Sequence, residues 1–539
     1  MHNSPRMALV AIPFFVFAGV WLAHRRGFGA AIATWSESVR GMVGATFSWL
    51  YLGVGALCIL AVFFAMGRIG SVRIGGREAP VRVIPAEAVA IGFAASASVG
   101  LLFWAAGEPL FHLHNPPPFP GVRPLSNEAQ ILARSATYLH WGVLSHMTFG
   151  VFMIAFAIAT GTLQGRRSVE SALAGAGLRR RAAWGDLLDG IVFLFVILAL
   201  VTALASAVVS ITAQGLAVSG TPMPSGMLTG ILLALVLASV FLGARPIGSS
   251  LATVARVSLM VLMIFLLLVF LLGPKGYILI GGFKALWAMI REFPTLMFNG
   301  FLGESRGWAG QWTITHLGGW MLLAPVVGYV LSRAAQGYKL ANALRYFVFA
   351  PMFLSILTIL VLGGLALSID RGSGQIWAQM PRLGTDSVLL LSLNTLWAPM
   401  LLRVLLLILS VLFFVTFAGA VTHSILHIAV PGQDADRRVI IERRALLLFW
   451  TLALIIGGWC LLHYGGMGTM ASVSRLGAIP GVLITLGAVM AVFRLCMMSP
   501  RKLHPPEVAA GHAGSIQKHD GDGPAEVVGT VVQGHRRRK

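Results

Sequence analysis

The sequence predicts an all-α polytopic membrane protein, and three observations carry that prediction. Of 539 residues, 57% are hydrophobic and only 11% charged, with a mean hydropathy of +0.83; a water-soluble domain is about 45–50% apolar and about 25% charged. Long apolar runs such as Leu251 to Leu272 and Leu446 to Leu462 approach the roughly 20 residues needed to cross a hydrocarbon core of about 30 Å. Lipid offers no hydrogen bonds to the backbone, so such runs must be helical. Basic residues gather between the runs: Arg68, Arg73, Arg77 and Arg82; Arg166, Arg167, Arg179, Arg180 and Arg181; Arg437, Arg438, Arg443 and Arg444; and Arg536, Arg537, Arg538 and Lys539. They recur after every second span, the positive-inside bias that places those loops and both termini in the cytoplasm.

The runs divide into twelve expected spans: 7–24, 45–66, 85–111, 136–161, 187–217, 223–243, 250–273, 309–332, 343–369, 398–426, 443–463 and 471–496. The first has no small-residue cleavage site and is followed by Arg25 and Arg26, so it reads as a retained span rather than a signal peptide. Residues 112–127, with Pro116, Pro117, Pro118 and Pro120, read as an outer loop too rich in proline for helix. Residues 276–293 mix apolar positions with Lys284, Arg291 and Glu292; an amphipathic helix at the interface and a solvated loop both fit. Residues 1–497 form the expected transmembrane domain, and 498–539 an expected disordered basic cytoplasmic tail.

Several function classes are excluded. The net charge of +21 is dispersed over loops rather than along one face of a soluble domain, so nucleic acid is not the expected partner; the bilayer is. Cys58, Cys460 and Cys496 lie inside apolar runs and suggest neither disulfides nor metal. His112 and His114 have only Glu108 as a nearby carboxylate, so no metal or other cofactor is expected. No G-x-x-x-x-G-K-[ST] loop occurs, nor paired carboxylates or a nucleophile motif that would make an enzyme. No repeated pore loop or charged ring marks a channel. A secondary carrier is left.

Secondary carriers bind solute where helices break at matching positions of inverted repeats. The third span holds Ala94-Ala95-Ser96-Ala97-Ser98-Val99-Gly100, small residues that suit either a backbone–ligand approach or helix packing. The eighth holds Gly318-Gly319-Trp320, a weak point beside an aromatic ring able to hold a desolvated cation. Placing these breaks first in two five-helix repeats, spans 3–7 and 8–12, gives a LeuT-like plan with two extra helices in front. Glu108, followed by Pro109, which ends a helix, reads as a structural residue at the outer end of the third span, with pairing to a helix terminus or a part in gating as the other readings.

The stretch Phe103-Trp104-Ala105-Ala106-Gly107-Glu108-Pro109-Leu110, followed by Pro117 and Pro118, resembles the F-W-G-x-x-E-P-L…P-P motif of the betaine/carnitine/choline transporters. Pro325-Val326-Val327-Gly328-Tyr329 through Arg333 and Gly337 is similar to that family's eighth-span motif, and Phe413-Phe414-Val415-Thr416 to its tenth-span motif. The resemblance implies a LeuT-like homotrimer in the bacterial inner membrane, moving a quaternary ammonium solute or related zwitterion such as glycine betaine, choline or carnitine. A sulfonium, an amino-acid-like solute, or a sensor that binds without transport are the alternatives. An alkylated head group has no N–H donors, so aromatic faces must hold it. The resemblance assigns Trp141, Phe149 and Trp320 to that cage, with the Ser96, Ala97, Ser98 and Gly100 backbone beside it. His146 falls at a cage position: neutral it would pack there, protonated it would repel the cation, and a hydrogen-bonded histidine between helices is the other reading. Phe417, after Thr416, stands where sodium-coupled members carry a serine and offers no oxygen. Arg256, inside the seventh span, is expected either as a fixed cation replacing sodium or as a snorkelling residue.

Overall fold

The structure, a computed structural model, describes residues 7–162, 168–173, 182–221, 224–298, 305–385, 387–430, 432, 436–498 and 503. Of the expected tail, only Met498 and Leu503 fall among them. Its longer helices, in order, are α1 (Met7–Ala23), α2 (Gly29–Thr46), α3 (Ser48–Arg68), α4 (Pro85–His114), α5 (Asn127–Ala159), α6 (Gly185–Ser219), α7 (Gly226–Gly243), α8 (Ile247–Leu272), α9 (Lys275–Arg291), α10 (Gly307–Ala334), α11 (Leu340–Ser373), α12 (Pro399–Ala429), α13 (Arg437–Tyr464) and α14 (Met467–Met497). Among the described residues there is no β-strand, only an isolated bridge between Arg73 and Lys339.

Ten of these helices are long and apolar enough to cross a membrane, and α4 makes eleven when its two bent halves count as one span. They coincide with the second to twelfth expected spans. The remaining expected span, 7–24, is α1, a helix of 17 residues with Pro13 inside it. Large apolar side chains stand exposed on α8 (Met260, Ile264, Leu267), α13 (Leu448, Leu452, Ile456) and α7 (Leu237, Phe241). Exposed apolar surface of this extent needs a covering phase, and the chain is a multi-pass membrane protein.

Residues 276–293 are helical. The helix α9 buries Ile278, Gly282, Ala285 and Met289 on one side and exposes Ile280, Phe283, Trp287 and Ile290 on the other.

Three expectations are corrected. The loop reading of 112–127 is wrong at its start, because α4 continues through Pro109 to His114. A proline inside a helix strips one hydrogen bond from the carbonyl four residues back, here that of Ala105. That carbonyl lies against Gly363 of α11, where a Cβ would come within 2.7 Å of it. The close approach shields the freed carbonyl, so the helix need not end.

The second correction concerns Gly318-Gly319, which lie in unbroken helix (Thr313–Ala334). Glycine costs a helix only about 1 kcal/mol, whereas an open backbone group in lipid costs several. Gly318 also lets α14 approach, since a Cβ there would sit 2.6 Å from Ala478 Cβ. The irregularity lies six residues before Gly318, at Trp312 (φ −111°, ψ −78°), between Ser305–Gln311 and the main helix.

The third correction is Glu108, taken below. The expected break in the third span is present: Pro85–Ser96 and Gly100–His114 meet at 60°. The second half of α4 packs on α11 and α5, and α5 packs on α10. This four-helix contact positions the site.

Candidate functional site

The site is built on one carboxylate. Glu108, on the second half of α4, is completely buried. Oε1 lies 2.6 Å from His140 Nδ1 and 3.3 Å from His112 Nε2. Oε2 accepts from Trp141 Nε1 at 2.7 Å and lies 3.1 Å from His316 Nε2. A buried carboxylate is costly unless hydrogen-bonded throughout, and these nitrogens supply that need from three helices. His112 comes from one turn further along α4. His140 and Trp141 come from a π-helical stretch of α5, Tyr138–Leu144, whose extra residue per turn aims two consecutive side chains at Glu108. His316 comes from α10. The outer atoms are also held: His140 Nε2 is 3.0 Å from Thr313 Oγ1, and His316 Nδ1 donates to the Trp312 carbonyl at 2.9 Å.

Atoms of Glu108, His112 and His140 lie within 4.8 Å of one another, the spacing of a possible metal site. The donor set fits hydrogen bonding instead. Two atoms sharing a tetrahedral zinc at bonds of about 2.0–2.1 Å stand about 3.3 Å apart, too far for the 2.6 Å Glu108–His140 contact. An indole N–H also takes up the second oxygen.

The aromatic residues adjoin this carboxylate. Trp141 meets Trp320 edge to face at 5.0 Å, and Phe149 meets Trp320 at 5.9 Å. Trp320 Nε1 donates to the His140 carbonyl at 3.0 Å, tying α10 to α5. Trp141 is thus shared, its N–H on Glu108 and its ring on Trp320. His316 lies 5.6 Å from the Trp141 ring and 6.2 Å from Trp320, and stacks on His140 at 4.6 Å.

The other expected residues separate from this group. His146 is buried and bridges helices: Nδ1 donates to the Gly142 carbonyl at 2.8 Å, and Nε2 lies 2.9 Å from the Ser96 hydroxyl on α4. Among the described residues it makes no ring contact with Trp141, Phe149 or Trp320, and its bonds fit the reading of a histidine held between helices. Gly100 opens the second half of α4, while the side chains of Ala97 and Ser98 lie outside the described residues. Thr416 turns its hydroxyl back to the Leu412 carbonyl at 2.7 Å, and Phe417 is half-buried. Arg256 is 43% exposed and 3.6 Å from Glu87, on the first half of α4, so it is not beside the carboxylate or the aromatic rings.

Sequence reasoning missed Glu108, His140 and His316 as a unit. Reading Glu108 as a helix-end residue failed because the helix does not end there. The available signal was Glu108 and His112 at i, i+4 on one helical face, with further histidines in two other spans.

A family model for betaine/carnitine/choline family transporters matches residues 7–501. An osmo-independent choline transporter of Acinetobacter baylyi is 26% identical over 467 residues, covering 84% of this chain and 86% of the relative. A probable glycine betaine transporter of Desulfitobacterium hafniense is 26% identical over 386 residues, covering 69% and 73%. An ectoine/hydroxyectoine transporter of Virgibacillus pantothenticus is 22% identical over 495 residues, covering 90% and 94%. A model match over nearly the whole length, on a chain of membrane-crossing helices, places this protein in the betaine/carnitine/choline transporter family.

Proposed function

We propose that the chain is a secondary active transporter that moves a quaternary ammonium solute of the glycine betaine, choline or carnitine type across the bacterial inner membrane by alternating access, without sodium. The observation that carries this reading is the convergence of Trp141, Phe149 and Trp320 from α5 and α10. Their rings offer faces and no competing donors at the contact, which is what a fixed cation lacking N–H groups requires. The named relatives handle choline and glycine betaine; one handles ectoine and hydroxyectoine, so those belong in any substrate screen.

Sodium needs several oxygen ligands, and Phe417 supplies none at the position where the family resemblance expects a serine. Arg256, engaged with Glu87, is not needed for this argument. The LeuT-like repeats 3–7 and 8–12, a homotrimer and cytoplasmic termini complete the reading.

Uptake of radiolabelled glycine betaine and choline into proteoliposomes is the test, with sodium replaced by potassium. The expected result is uptake of at least one solute, unchanged by the replacement. No uptake of any family solute overturns the transporter reading, and a strict sodium requirement overturns the coupling.

A further inference from the structure

We infer that Glu108 and His316 form a proton-binding site that competes with the cationic head group of the solute, an inference that rests on the proposed transport function. Proton inventory carries it. The Trp312 carbonyl can only accept, so His316 Nδ1, 2.9 Å away, carries a hydrogen. His316 Nε2 then faces Glu108 Oε2 at 3.1 Å. With no proton between them, two lone pairs would oppose each other in a buried site. The pair therefore holds one proton, and it is neutral while it does so.

The other histidines need no extra charge. His140 donates from Nδ1 to Oε1 while Nε2 accepts from Thr313. His112 donates from Nε2 to Oε1, and its Nδ1 has no partner among the described residues. When the shared proton leaves, the carboxylate keeps His112, His140 and Trp141 as donors, so the deprotonated site survives with a net charge of −1. Of the four side chains, that of His316 is 12% exposed, whereas those of Glu108, His112 and His140 are completely buried. The neighbouring residues Thr315 and Gly319 of α10 line a cavity of about 610 Å3.

The surrounding charges are paired elsewhere. On α11, Asp370 holds His114 at 2.7 Å. On α2, Arg40 reaches Thr315 while bound to Glu37. The Glu108–His316 pair is thus the one in the cluster whose shared proton lies nearest exposed surface.

Trp141 joins this pair to the aromatic group. A quaternary ammonium on the face of Trp141, whose Nε1 lies 2.7 Å from Glu108, sits within about 6 Å of the ring and roughly 8 Å from the carboxylate. At that distance and an effective dielectric constant of about 20, a unit charge shifts the proton affinity about 30-fold. Linkage is reciprocal: bound cation expels the proton, and bound proton weakens the cation by the same factor. In a carrier, such antagonism between the two sites favours exchange of one ligand for the other across the membrane.

The test uses the purified full-length chain in detergent, with choline as the probe because it is cationic without a carboxylate. Tryptophan fluorescence gives Kd from pH 5.5 to 8.5, and a pH dye in weak buffer counts protons released. Expected are a choline Kd that weakens by up to about 30-fold toward acid pH and release of up to one proton per choline. For His316→Gln, expected are a pH-independent Kd and no release. Choline binding that is flat with pH and releases no proton from wild type overturns the inference alone. No binding of choline, glycine betaine or ectoine at any pH overturns the transport reading and the inference with it. The wild-type proton count keeps the test decisive even where the variant does not fold.

Discussion

Replacing Glu108 with leucine removes the acceptor on which three helices converge. The side chains are of similar size, so the change is mainly one of hydrogen bonding. Trp141 Nε1, His140 Nδ1, His112 Nε2 and His316 Nε2 all lose their partner. The histidines can shift tautomers, but the indole N–H cannot. One buried unsatisfied donor costs about 1–3 kcal/mol, and at least one histidine nitrogen left facing hydrocarbon adds a similar amount, so the expected loss is about 2–6 kcal/mol. Glu108→Gln is the control. Its amide oxygen keeps two donors, and its NH2 group can donate to a histidine that has switched tautomer, so its cost is smaller. Apparent Tm in detergent, followed by intrinsic fluorescence, reads both variants. The expected order is wild type, then Glu108→Gln, then Glu108→Leu. A leucine variant as stable as wild type, or leucine and glutamine variants equally stable, refutes the carboxylate as the hub of the site.

Trp320→Leu removes one aromatic face and the bond to the His140 carbonyl; a cation–π contact is worth about 0.5–2 kcal/mol, so calorimetry should show choline or glycine betaine affinity lower by about 2- to 30-fold. Gly328→Ala places a Cβ 2.4 Å from Phe152 Cβ at the contact between α10 and α5; overpacking there should cost about 1–3 kcal/mol, seen as a lower apparent Tm than Gly319→Ala, whose Cβ meets nothing within 4 Å. Glu37 lies on α2, where burial raises its carboxyl pKa but Arg40 and Arg475 outweigh that and hold it below its usual 4.5. Its folded pKa is lowered, so its contribution is present above pH 4.5 and lost as pH falls through the lowered value; Arg475→Gln should flatten that acid-side loss in a Tm-versus-pH series.

Eleven spans were legible because lipid imposes one requirement on every residue between two interfaces: the side chain is apolar and the backbone pairs with itself. That requirement is local, so a run such as 250–273 declares itself as α8 without knowledge of its neighbours. The small residues of 94–100 likewise marked the bend in α4, since short side chains and a glycine share that segment. The proposed cage residues Trp141 and Phe149 came from the family resemblance, whereas Trp320 also stood out beside Gly318-Gly319.

Reading from local signals failed where the deciding partner was distant. Pro109 predicts a helix end until Gly363 comes to lie against the Ala105 carbonyl. Gly318-Gly319 predicts a break until Ala478 makes use of the missing side chain. Arg256 inside an apolar run fits either a fixed cation or a snorkelling residue, and its neighbours in sequence do not reveal its ion partner, Glu87 on another helix.

Taken alone, the sequence determined the all-α membrane-crossing architecture, the positions of eleven spans, the bend in α4 and the family, because each depends on residues adjacent in the chain. Only the tertiary structure decided that Glu108 is the centre of the site. Its donors are separated by 4, 32, 33 and 208 residues, and a carboxylate becomes tolerable in a membrane core only once such donors have been brought around it.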